Sequence, residues 1–557
     1  MREHFSPFFQ PKNKLNMRKK NRACAGLQMK IPPKSLVLLP VILLTIASTF
    51  VAPARPIQDN NYAILTNIPE TDPFYSAVSL LGSYRSASIV RFLNSVDESL
   101  ESLKALMPQY VAVAVKPQTI DVDFVAQTYL VLSQLDDEQF LDCSVGFITG
   151  ATASDMNLLI SNTISAENGT RPTKYTAMMN SNTTFGGEGA TLNRSQVYSR
   201  FFSQSGWATS LVDNYHKPLD LYQRIGNSSI TTIDMHGNPT GIENLSSTEI
   251  RNGPQQYLFP TVVIASSCYT SVTYRFYQEG ASANATIDPN QSFSLSFLKK
   301  GAVGYVGHIR MAGANWNALE PVLYGMTFLG LSQGESLKQA LNLGLTNFGL
   351  PANITLHSEN FFGYALYGDP KYTPVPQPLS SPIISATCTI YQNSTSVRLR
   401  ISRDVSFPKI INGKYQYSDL DEWYQFSAAL SFPTINYRFL LPANLNATGV
   451  ALIGFSDPSN GIQNVYSQGM YLPTEKTAEG TFLYLRLNFA FKNTTQPVWQ
   501  LQAGTTIDVN VATSTNVIPE FPIGTIFLFA FVVASSIGLL NLSARRRKGS
   551  SIDSQLP

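Results

Sequence analysis

Short, continuously apolar segments alternate with segments of helical periodicity between residues 74 and 372. Strands that are apolar throughout, rather than at every second residue, are typical of strands buried on both faces. Alternation of such strands with helices predicts a parallel sheet covered by helices on both sides. The strand-type segments lie at 110–115, 143–148, 229–234, 261–265 and 302–306, and the clearest helical segments at 89–107 and 153–164.

A proline-rich stretch separates this region from one of different character. Prolines 374, 376, 378 and 382 punctuate the stretch, which predicts a linker. Beyond it, apolar and polar residues alternate with a period of two, and no helical segments intervene. This pattern predicts an antiparallel β-sandwich over residues 380–515. Its strand-type segments lie at 395–401, 424–430, 450–455, 482–491 and 506–512.

An uncharged apolar segment lies near the amino end of the chain. It spans residues 35–52, follows a basic leader and precedes Ala52-Pro53-Ala54, which is the arrangement of a secretory signal. Translation from Met29 would give a signal of ordinary proportions, and we expect initiation there. The alternative is that residues 1–34 form a cytoplasmic arm.

A second uncharged segment lies near the carboxyl end, at residues 523–542. As a helix it would be about 30 Å long, enough to cross the hydrocarbon core of a membrane. The basic residues Arg545, Arg546, Arg547 and Lys548 follow at once. Because basic flanks stay on the cytoplasmic side, the sequence predicts a single-pass membrane protein with an extracellular body and a cytoplasmic tail at 543–557.

Charge is scarce and unevenly distributed. The net charge is +3, but residues 1–34 carry +8 and the tail carries +3, which leaves −8 on the body. A mildly acidic body between two basic ends is not the footprint of a nucleic-acid-binding protein. Charged residues make up 14% of the chain and hydrophobic residues 44%, a composition that disfavours disorder and coiled coil.

Two further features agree with export. Asn-X-Ser/Thr sequences are dense in the body and predict a glycosylated surface. Three cysteines, Cys143, Cys268 and Cys388, lie outside the leader, so at least one thiol lacks an intramolecular disulfide partner. The glycosylation candidates are Asn168, Asn182, Asn193, Asn227, Asn244, Asn284, Asn290, Asn353, Asn393, Asn446 and Asn493.

A histidine and a cysteine follow two of the predicted strands. His236-Gly237 comes just after 229–234, and Cys268 comes just after 261–265. Ligands bind beyond the carboxyl ends of parallel strands, so the two side chains would share a crevice if the strands are neighbours. An imidazole can take the proton of a thiol, and a glycine N–H can approach an oxyanion. From the residues alone, the alternative is an inert buried thiol and a structural histidine.

Several ordered blocks resemble those of gingipain-type cysteine peptidases. The resemblance implies an α/β caspase-like domain with a parallel central sheet over residues 106–372, followed by an all-β sandwich domain. By position, it implies that His236 is the general base and Cys268 the nucleophile. It also implies that the backbone N–H groups of Gly237 and Cys268 form the oxyanion hole. The blocks are 235–237, 260–270, 297–307 and 364–370, with a similar acidic loop and Val-Gly strand at 136–150.

Other candidates lie around the same crevice. Trp316 stands where related enzymes place an aromatic wall, and His308 follows the strand at 302–306, so both are candidates for a substrate pocket; core packing is the alternative. Asp136, Asp137 and Asp142 are weak calcium candidates, since calcium prefers several carboxylate oxygens, but an acidic surface turn explains them as well. The thiol chemistry itself requires no cofactor.

The remaining predictions concern processing and function. Pro519-Glu520-Phe521 resembles the tripartite tail of archaeal surface proteins, which implies a sortase-like processing enzyme as a partner. The sequence favours a cell-surface cysteine endopeptidase acting on proteins or peptides; the alternative is a non-catalytic surface-layer or adhesion glycoprotein that retains the fold. The predicted organisation is leader and signal 1–54, helical segment and candidate propeptide 55–105, peptidase domain 106–372, β-sandwich 380–515, transmembrane helix 523–542 and tail 543–557.

Overall fold

A computed structural model gives the fold, and all of its described residues lie in the unit Asp59–Pro557. The predicted leader, signal, transmembrane helix, tail and processing motif lie outside the described residues. None of the helices that are described combines the length and apolar character needed to cross a membrane. The described residues are 61–136, 140–169, 175–180, 195, 199, 202–203, 206–213, 225, 228–254, 260–277, 285–311, 319–327, 329–348, 363–376, 384–390, 394–402, 404–406, 409–411, 414–416, 434–441, 445–456, 465–466, 474–477, 480–489 and 500–515.

The elements are numbered in chain order. Strands β1–β15 are Tyr62–Thr66, Ser88–Arg91, Tyr110–Ala114, Ser144–Ile148, Tyr175–Asn180, Ala208–Asp213, Ile230–Asp234, Gly237–Asn238, Gly241–Ile242, Leu245–Ser246, Val262–Ala265, Arg275–Phe276, Ala285–Thr286, Gly304–His308 and Tyr364–Gly368. Helices α1–α8 are Tyr75–Arg85, Leu100–Leu106, Val122–Leu132, Ala153–Asn168, Ser247–Asn252, Phe293–Lys299, Leu319–Thr327 and Gln333–Phe348. Short 3₁₀ helices span Val96–Ser99, Pro117–Thr119 and Pro289–Gln291.

Strands β16–β27 form the region after the linker. They are Ile384–Ile390, Ser394–Ile401, Val405–Ser406, Lys409–Ile411, Lys414–Gln416, Thr434–Leu440, Leu445–Ser456, Val465–Tyr466, Thr474–Thr477, Gly480–Phe489, Gln500–Leu501 and Thr506–Thr515. The paired strands of this region run antiparallel, in sheets ordered β16-β17-β27-β22 and β21-β25-β23 with β24 beside β25. The segment 424–430 lies outside the described residues, and the packing of two sheets as a sandwich stays a prediction.

The main sheet has ten strands in the order β2-β1-β3-β4-β15-β14-β11-β7-β5-β6. Every residue of β1, β4, β7, β11, β14 and β15 is buried, and most of these residues are apolar, although β7 also buries Thr231, Thr232 and Asp234. The prediction of a purely parallel sheet needs one correction, because β15 runs antiparallel to β14. A strand buried on both faces has the same apolar pattern in either direction, so its sequence does not reveal its orientation. The fold is therefore a mixed sheet with helices.

The amino-terminal segment contributes two strands to this sheet. β1 lies between β2 and β3 and pairs in parallel with both. The predicted helix at 89–107 is thus partly wrong: residues 88–91 form β2, an edge strand with a half-exposed pattern, and the helical part is a 3₁₀ turn at 96–99 followed by an α-helix at 100–106. A cut near residue 105 would remove both strands from the sheet. Cleavage of a propeptide at that position stays a prediction.

Asp369 ties this segment to the end of the same region. Its buried carboxylate accepts hydrogen bonds from the Tyr62 hydroxyl at 2.7 Å and from Nε of Arg85 at 2.7 Å. Arg85 also pairs with Glu167 at 2.7 Å. Burial raises the pKa of Asp369, and Arg85 opposes that rise by stabilising the carboxylate. We call these groups, with the Tyr84 hydroxyl that donates to Glu167, the Asp369 network.

The same contacts define two edges of the sheet. Gly368, the last residue of β15, pairs with Gly304, the first residue of β14. Asp369, which follows Gly368, accepts a hydrogen bond from Tyr62, the first residue of β1. Tyr62 aligns in turn with the first residues of β3 and β4. We call this the starting edge. The finishing edge carries the carboxyl ends of β7, β11 and β14; there the Thr273 hydroxyl, beyond β11, donates to the Pro117 carbonyl, beyond β3, at 2.8 Å.

Four charged side chains join the region after the linker to the starting edge. Glu475 on β24 forms an ion pair with Lys338 of α8 at 2.9 Å and accepts a hydrogen bond from Arg438 of β21 at 2.9 Å. Glu335 of α8 lies 3.4 Å from Lys338 and accepts from the Ser144 hydroxyl at 2.7 Å. Burial alone would raise the pKa of Glu335, but Lys338 and Arg438 together lower it to about 2. We call these residues the four-charge cluster.

Candidate active site

The strands that precede His236 and Cys268 are neighbours. β7 and β11 pair in parallel, with Ile233 opposite Ala265, and the Ser266 N–H donates to the Ile233 carbonyl at 2.7 Å. His236 lies two residues past the end of β7 and is exposed, whereas Cys268 lies three residues past β11, is half-buried and forms no disulfide. The sheet therefore brings the imidazole-bearing loop and the thiol-bearing loop together at the finishing edge.

The loop that carries Cys268 is held in an unusual conformation. Tyr269 adopts a φ of 61°, in the left-handed region that side chains other than glycine rarely occupy. Its N–H donates to the Arg310 carbonyl at 2.8 Å, and the Ser271 N–H donates to the His308 carbonyl at 2.8 Å. The Tyr269 ring also packs edge-on against Phe276, with centroids 5.6 Å apart. These contacts with the end of β14 and with β12 maintain a backbone geometry that the isolated loop would not favour.

Gly237 fits against this loop with no room for a side chain. A Cβ at this position would lie 2.7 Å from Cγ2 of Thr270, 2.9 Å from the Cys268 carbonyl oxygen and 2.9 Å from Cβ of Ser267. Any other residue would therefore push the two loops apart. The glycine after the histidine is explained by this close approach, which brings the backbone next to His236 against the backbone that carries the thiol.

Glu243 is a neighbour of His236 that the sequence did not reveal. Gly237 pairs with Ile242 in the small sheet β8-β9-β10, so the next positions outward, His236 and Glu243, face each other across the hairpin. The His236 N–H donates to Oε1 of Glu243 at 3.3 Å. Glu243 lies seven residues after the histidine, and the signal that could have located it is the Pro239-Thr240-Gly241 turn between them.

The two candidates for a substrate pocket differ in placement. His308 ends β14 at the finishing edge, but it is 1% exposed and its ring lies 3.7 Å, centroid to centroid, from that of Tyr364. Burial lowers the pKa of His308 to about 3, so the imidazole is neutral. Neither ring nitrogen has a hydrogen-bond partner in the part of the chain described. Trp316 lies outside the described residues.

The acidic calcium candidates lie elsewhere. Asp142 precedes β4, whose first residue is on the starting edge, and it accepts a hydrogen bond from the Leu135 N–H at 2.9 Å. Burial, reinforced by the nearby charge of Asp136, raises the pKa of Asp142 to about 7. Asp137 lies outside the described residues. Within the described ranges, no group of three or more His, Cys, Asp or Glu side chains is arranged to hold a metal ion.

The remaining thiols and the glycosylation candidates also have defined places. Cys143 is buried and Cys388 half-buried, neither forms a disulfide, and burial raises the pKa of both. Among the asparagines, Asn168 ends α4, Asn244 lies on the turn after β9, and Asn290 lies in a 3₁₀ helix. Asn446 lies in β22, and the other seven are outside the described residues.

Comparisons with known proteins indicate the family of this chain. No curated protein matches the chain. Among solved structures, the complex of Porphyromonas gingivalis RgpB pro- and mature domains aligns with a TM-score of 0.41 and 10% identity, covering 63% of this chain and 89% of that one. The Arg specific cysteine proteinase gingipain R aligns with a TM-score of 0.42 and 11% identity, covering 64% and 88%. Alignments with TM-scores and identities this low do not establish a function for this chain.

The family model gives the assignment, because it matches more than half of the chain. The model of peptidase family C25, which comprises the gingipain-type cysteine peptidases, matches residues 61–375. This range begins one residue before β1 and ends just after β15, so it coincides with the region that forms the main sheet. The chain therefore belongs to peptidase family C25.

Proposed function

We propose that the chain is a cell-surface cysteine endopeptidase in which His236 is the general base and Cys268 the nucleophile. The observation that carries the proposal is the fit of Gly237 against the Cys268 carbonyl, because it holds the loop that carries His236 and the loop that carries Cys268 in direct contact. Both loops leave neighbouring strands at the finishing edge. A nucleophile and its base must come within hydrogen-bond reach, directly or through one water, for proton transfer.

The reaction follows from these positions. His236 takes the thiol proton, and the sulfur of Cys268 attacks the scissile carbonyl carbon to give a tetrahedral oxyanion. The backbone N–H groups of Gly237 and Cys268 donate to that oxygen. The C–N bond breaks, the imidazolium gives its proton to the leaving amine, and a thioester remains. Water, deprotonated by His236, then attacks the thioester, and the acid product leaves as the thiol regains its proton.

Substitution of the nucleophile tests the proposal. Cys268→Ser should lower kcat/KM for peptide hydrolysis by at least about 1,000-fold, because the serine hydroxyl is far harder to ionise than a thiol. Cys388→Ser is the matched control, since Cys388 is also half-buried and forms no disulfide but lies in β16, beyond the linker. Hydrolysis that survives Cys268→Ser would contradict the role of Cys268 as nucleophile. An unaltered chain that hydrolyses no peptide would favour the non-catalytic surface glycoprotein.

The location at the cell surface is a separate part of the proposal. It is supported by the uncharged segment at 523–542 and by the basic cluster Arg545–Lys548 that follows it. Protease treatment of intact cells should release peptides from residues 61–515 and leave the tail at 543–557 uncut. The same treatment of opened cells is the control. Protection of the whole body in intact cells would contradict this topology.

We propose Trp316 and His308 as residues of the substrate pocket. Because His308 is 1% exposed, it would support the pocket from within the core and would not contact the substrate directly. We also propose a sortase-like enzyme as the processing partner at Pro519-Glu520-Phe521, because these residues resemble the tripartite tail of archaeal surface proteins. Protein and peptide substrates follow from the peptidase family itself.

A further inference from the structure

We infer that Thr270 is a positioning residue that sets the separation between the histidine loop and the cysteine loop. The histidine loop is residues 235–238, and the cysteine loop is residues 266–271. The inference rests on the proposed function, because it concerns the alignment of His236 and Gly237 with Cys268. Thr270 lies two residues after the nucleophile and is fully buried.

Thr270 lies between two glycines that belong to different strands. Its methyl carbon, Cγ2, is 2.7 Å from the position that a Cβ on Gly237 would occupy. Its hydroxyl oxygen, Oγ1, is 3.2 Å from the position that a Cβ on Gly307 would occupy. Gly237 begins β8, next to the histidine, and Gly307 lies near the end of β14. The Thr270 side chain thus packs against both glycines. At Gly237 its methyl is the nearest atom, whereas at Gly307 Ser271 and Tyr305 are closer, at 2.7 and 2.8 Å.

The hydroxyl has a second contact, within its own loop. Oγ1 donates a hydrogen bond to the Ser267 carbonyl at 3.1 Å, which closes a turn around Cys268. The next residue after the nucleophile, Tyr269, has the left-handed φ of 61° and lies inside that turn. The hydroxyl therefore fixes the shape of the cysteine loop, whereas the methyl fixes its distance from the histidine loop.

These contacts matter because catalysis depends steeply on distance. A displacement of about 1 Å between reacting groups can cost roughly 100-fold in rate. The methyl of Thr270 is the atom closest to the space above Gly237, whose N–H is proposed to hold the oxyanion. Loss of that methyl would let the two loops approach or tilt, with a direct effect on the alignment of Gly237 and Cys268.

Two conservative variants separate the roles of methyl and hydroxyl. Thr270→Ser removes the methyl and keeps the hydroxyl, and we expect kcat to fall about tenfold while KM stays within about twofold. Thr270→Val keeps the shape and removes the hydrogen bond to Ser267, so we expect a lower melting temperature as well as a lower kcat. Restoring threonine in either background should restore kcat.

Thr163→Ser is the matched control. Thr163 is also buried, and its hydroxyl donates to the Leu159 carbonyl at 2.9 Å within α4. The same methyl is removed there, outside both loops. We expect a similar loss of melting temperature and an unchanged kcat. A tenfold fall in kcat in this control would overturn the assignment, because it would show that any such change in the core reduces activity.

A second measurement tests the contact without using activity. Gly237→Ala places a methyl 2.7 Å from Cγ2 of Thr270, so it should lower the melting temperature. In the Thr270→Ser background, Gly237→Ala should lower the melting temperature by a smaller amount, reduced by at least about a third. The clash with the Thr270 methyl is then gone, whereas the clashes with Cys268 and Ser267, at 2.9 Å, remain. Strictly additive losses would overturn the inference.

The two measurements distinguish the failure of this inference from that of the proposed function. The effects of Gly237→Ala and Thr270→Ser on the melting temperature can be non-additive while Thr270→Ser alone has the kcat of the unaltered chain. In that case the contact exists and the positioning role of Thr270 is refuted. If hydrolysis does not depend on Cys268, the proposed function fails, and the positioning role fails with it although the coupling persists. Coupled melting temperatures together with a kcat loss confined to Thr270 support the inference.

Discussion

The two edges of the main sheet are held together by different kinds of interaction. At the starting edge, buried charges dominate: the Asp369 network joins β1 and α1 to the end of β15, and the four-charge cluster joins α8 to β21 and β24. At the finishing edge, backbone hydrogen bonds tie the cysteine loop to β7 and to the end of β14, and the cysteine loop meets the histidine loop at the close contact of Gly237. An ion pair does occur there, between Arg275 and Asp121, but the arginine side chain is 49% exposed.

This difference indicates that the starting edge contributes mainly to stability, whereas the finishing edge sets the alignment of the two loops. Buried ion pairs are expensive to break, so they suit contacts between distant parts of the chain that must not separate. Close packing of neutral groups resists displacement at short range, so it suits loops whose relative positions set a reaction distance. Substitutions at the starting edge should therefore change the free energy of unfolding, and those at the finishing edge should change the rate.

The largest effect is expected from Arg85→Met. The variant leaves the Asp369 carboxyl buried without its cationic partner, so the free energy of unfolding should fall by about 3 kcal/mol. The kcat per folded molecule should not change, because Arg85 lies at the starting edge. Denaturant unfolding and active-site titration measure the two quantities.

Arg91→Met is the control for this change. Arg91 pairs with Glu70 at 2.8 Å, but the two side chains are 41% and 71% exposed. Exposed pairs contribute little, so the loss should be below about 1 kcal/mol. Equal losses in the two variants would contradict the distinction between buried and exposed ion pairs.

A somewhat smaller effect is expected from pH through Glu335. Its pKa of about 2 in the folded chain lies below the roughly 4.3 of an unfolded glutamate, so its contribution to stability is present above pH 4.3 and is lost as pH falls toward 2. Between about pH 5 and pH 3 the unaltered chain should lose about 2 kcal/mol more than Glu335→Gln does. Denaturant unfolding at several pH values measures this. Parallel pH dependences in both chains would contradict the electrostatic role of the cluster.

The smallest effect is expected at the finishing edge, from Glu243→Ala. Loss of the hydrogen bond to the His236 N–H should lower kcat/KM about fivefold, which is about 1 kcal/mol, and should leave the melting temperature nearly unchanged. Glu243→Gln keeps an acceptor oxygen and should retain most of the activity. Glu249→Gln, an exposed glutamate in the capping box of α5, is the control. A fivefold loss of kcat/KM in Glu249→Gln would contradict a specific role of Glu243.

The sequence predicted the parts of the fold that carry a repeating physical signal. β3, β4, β11 and β14 were located to within two residues because each is buried on both faces and therefore largely apolar. β7 was located equally well although it contains Thr231, Thr232 and Asp234. β2 was assigned to a helix because an edge strand of four residues is only partly buried and has no continuous apolar run. The orientation of β15 depends on its neighbours in the sheet, which local sequence does not encode.

The site shows the same limit. His236, Gly237 and Cys268 could be singled out because they follow predicted strands and match family blocks. Glu243 could not, since a single exposed glutamate becomes significant only through the register of the hairpin that brings it opposite His236. Thr270 depends on two glycines, 33 and 37 positions away in the chain, that approach it only in the folded sheet.

The position of β15 has a consequence for biosynthesis. It is the last strand of the main sheet to be synthesised, yet it lies at the centre, between β4 and β14. Four strands on one side and five on the other can join only through it, and the Tyr62–Asp369 hydrogen bond spans 307 positions. Contacts so distant along the chain make folding slow. A growing polypeptide thus holds two unfinished half-sheets, and it remains without an assembled sheet until residue 369 has left the ribosome.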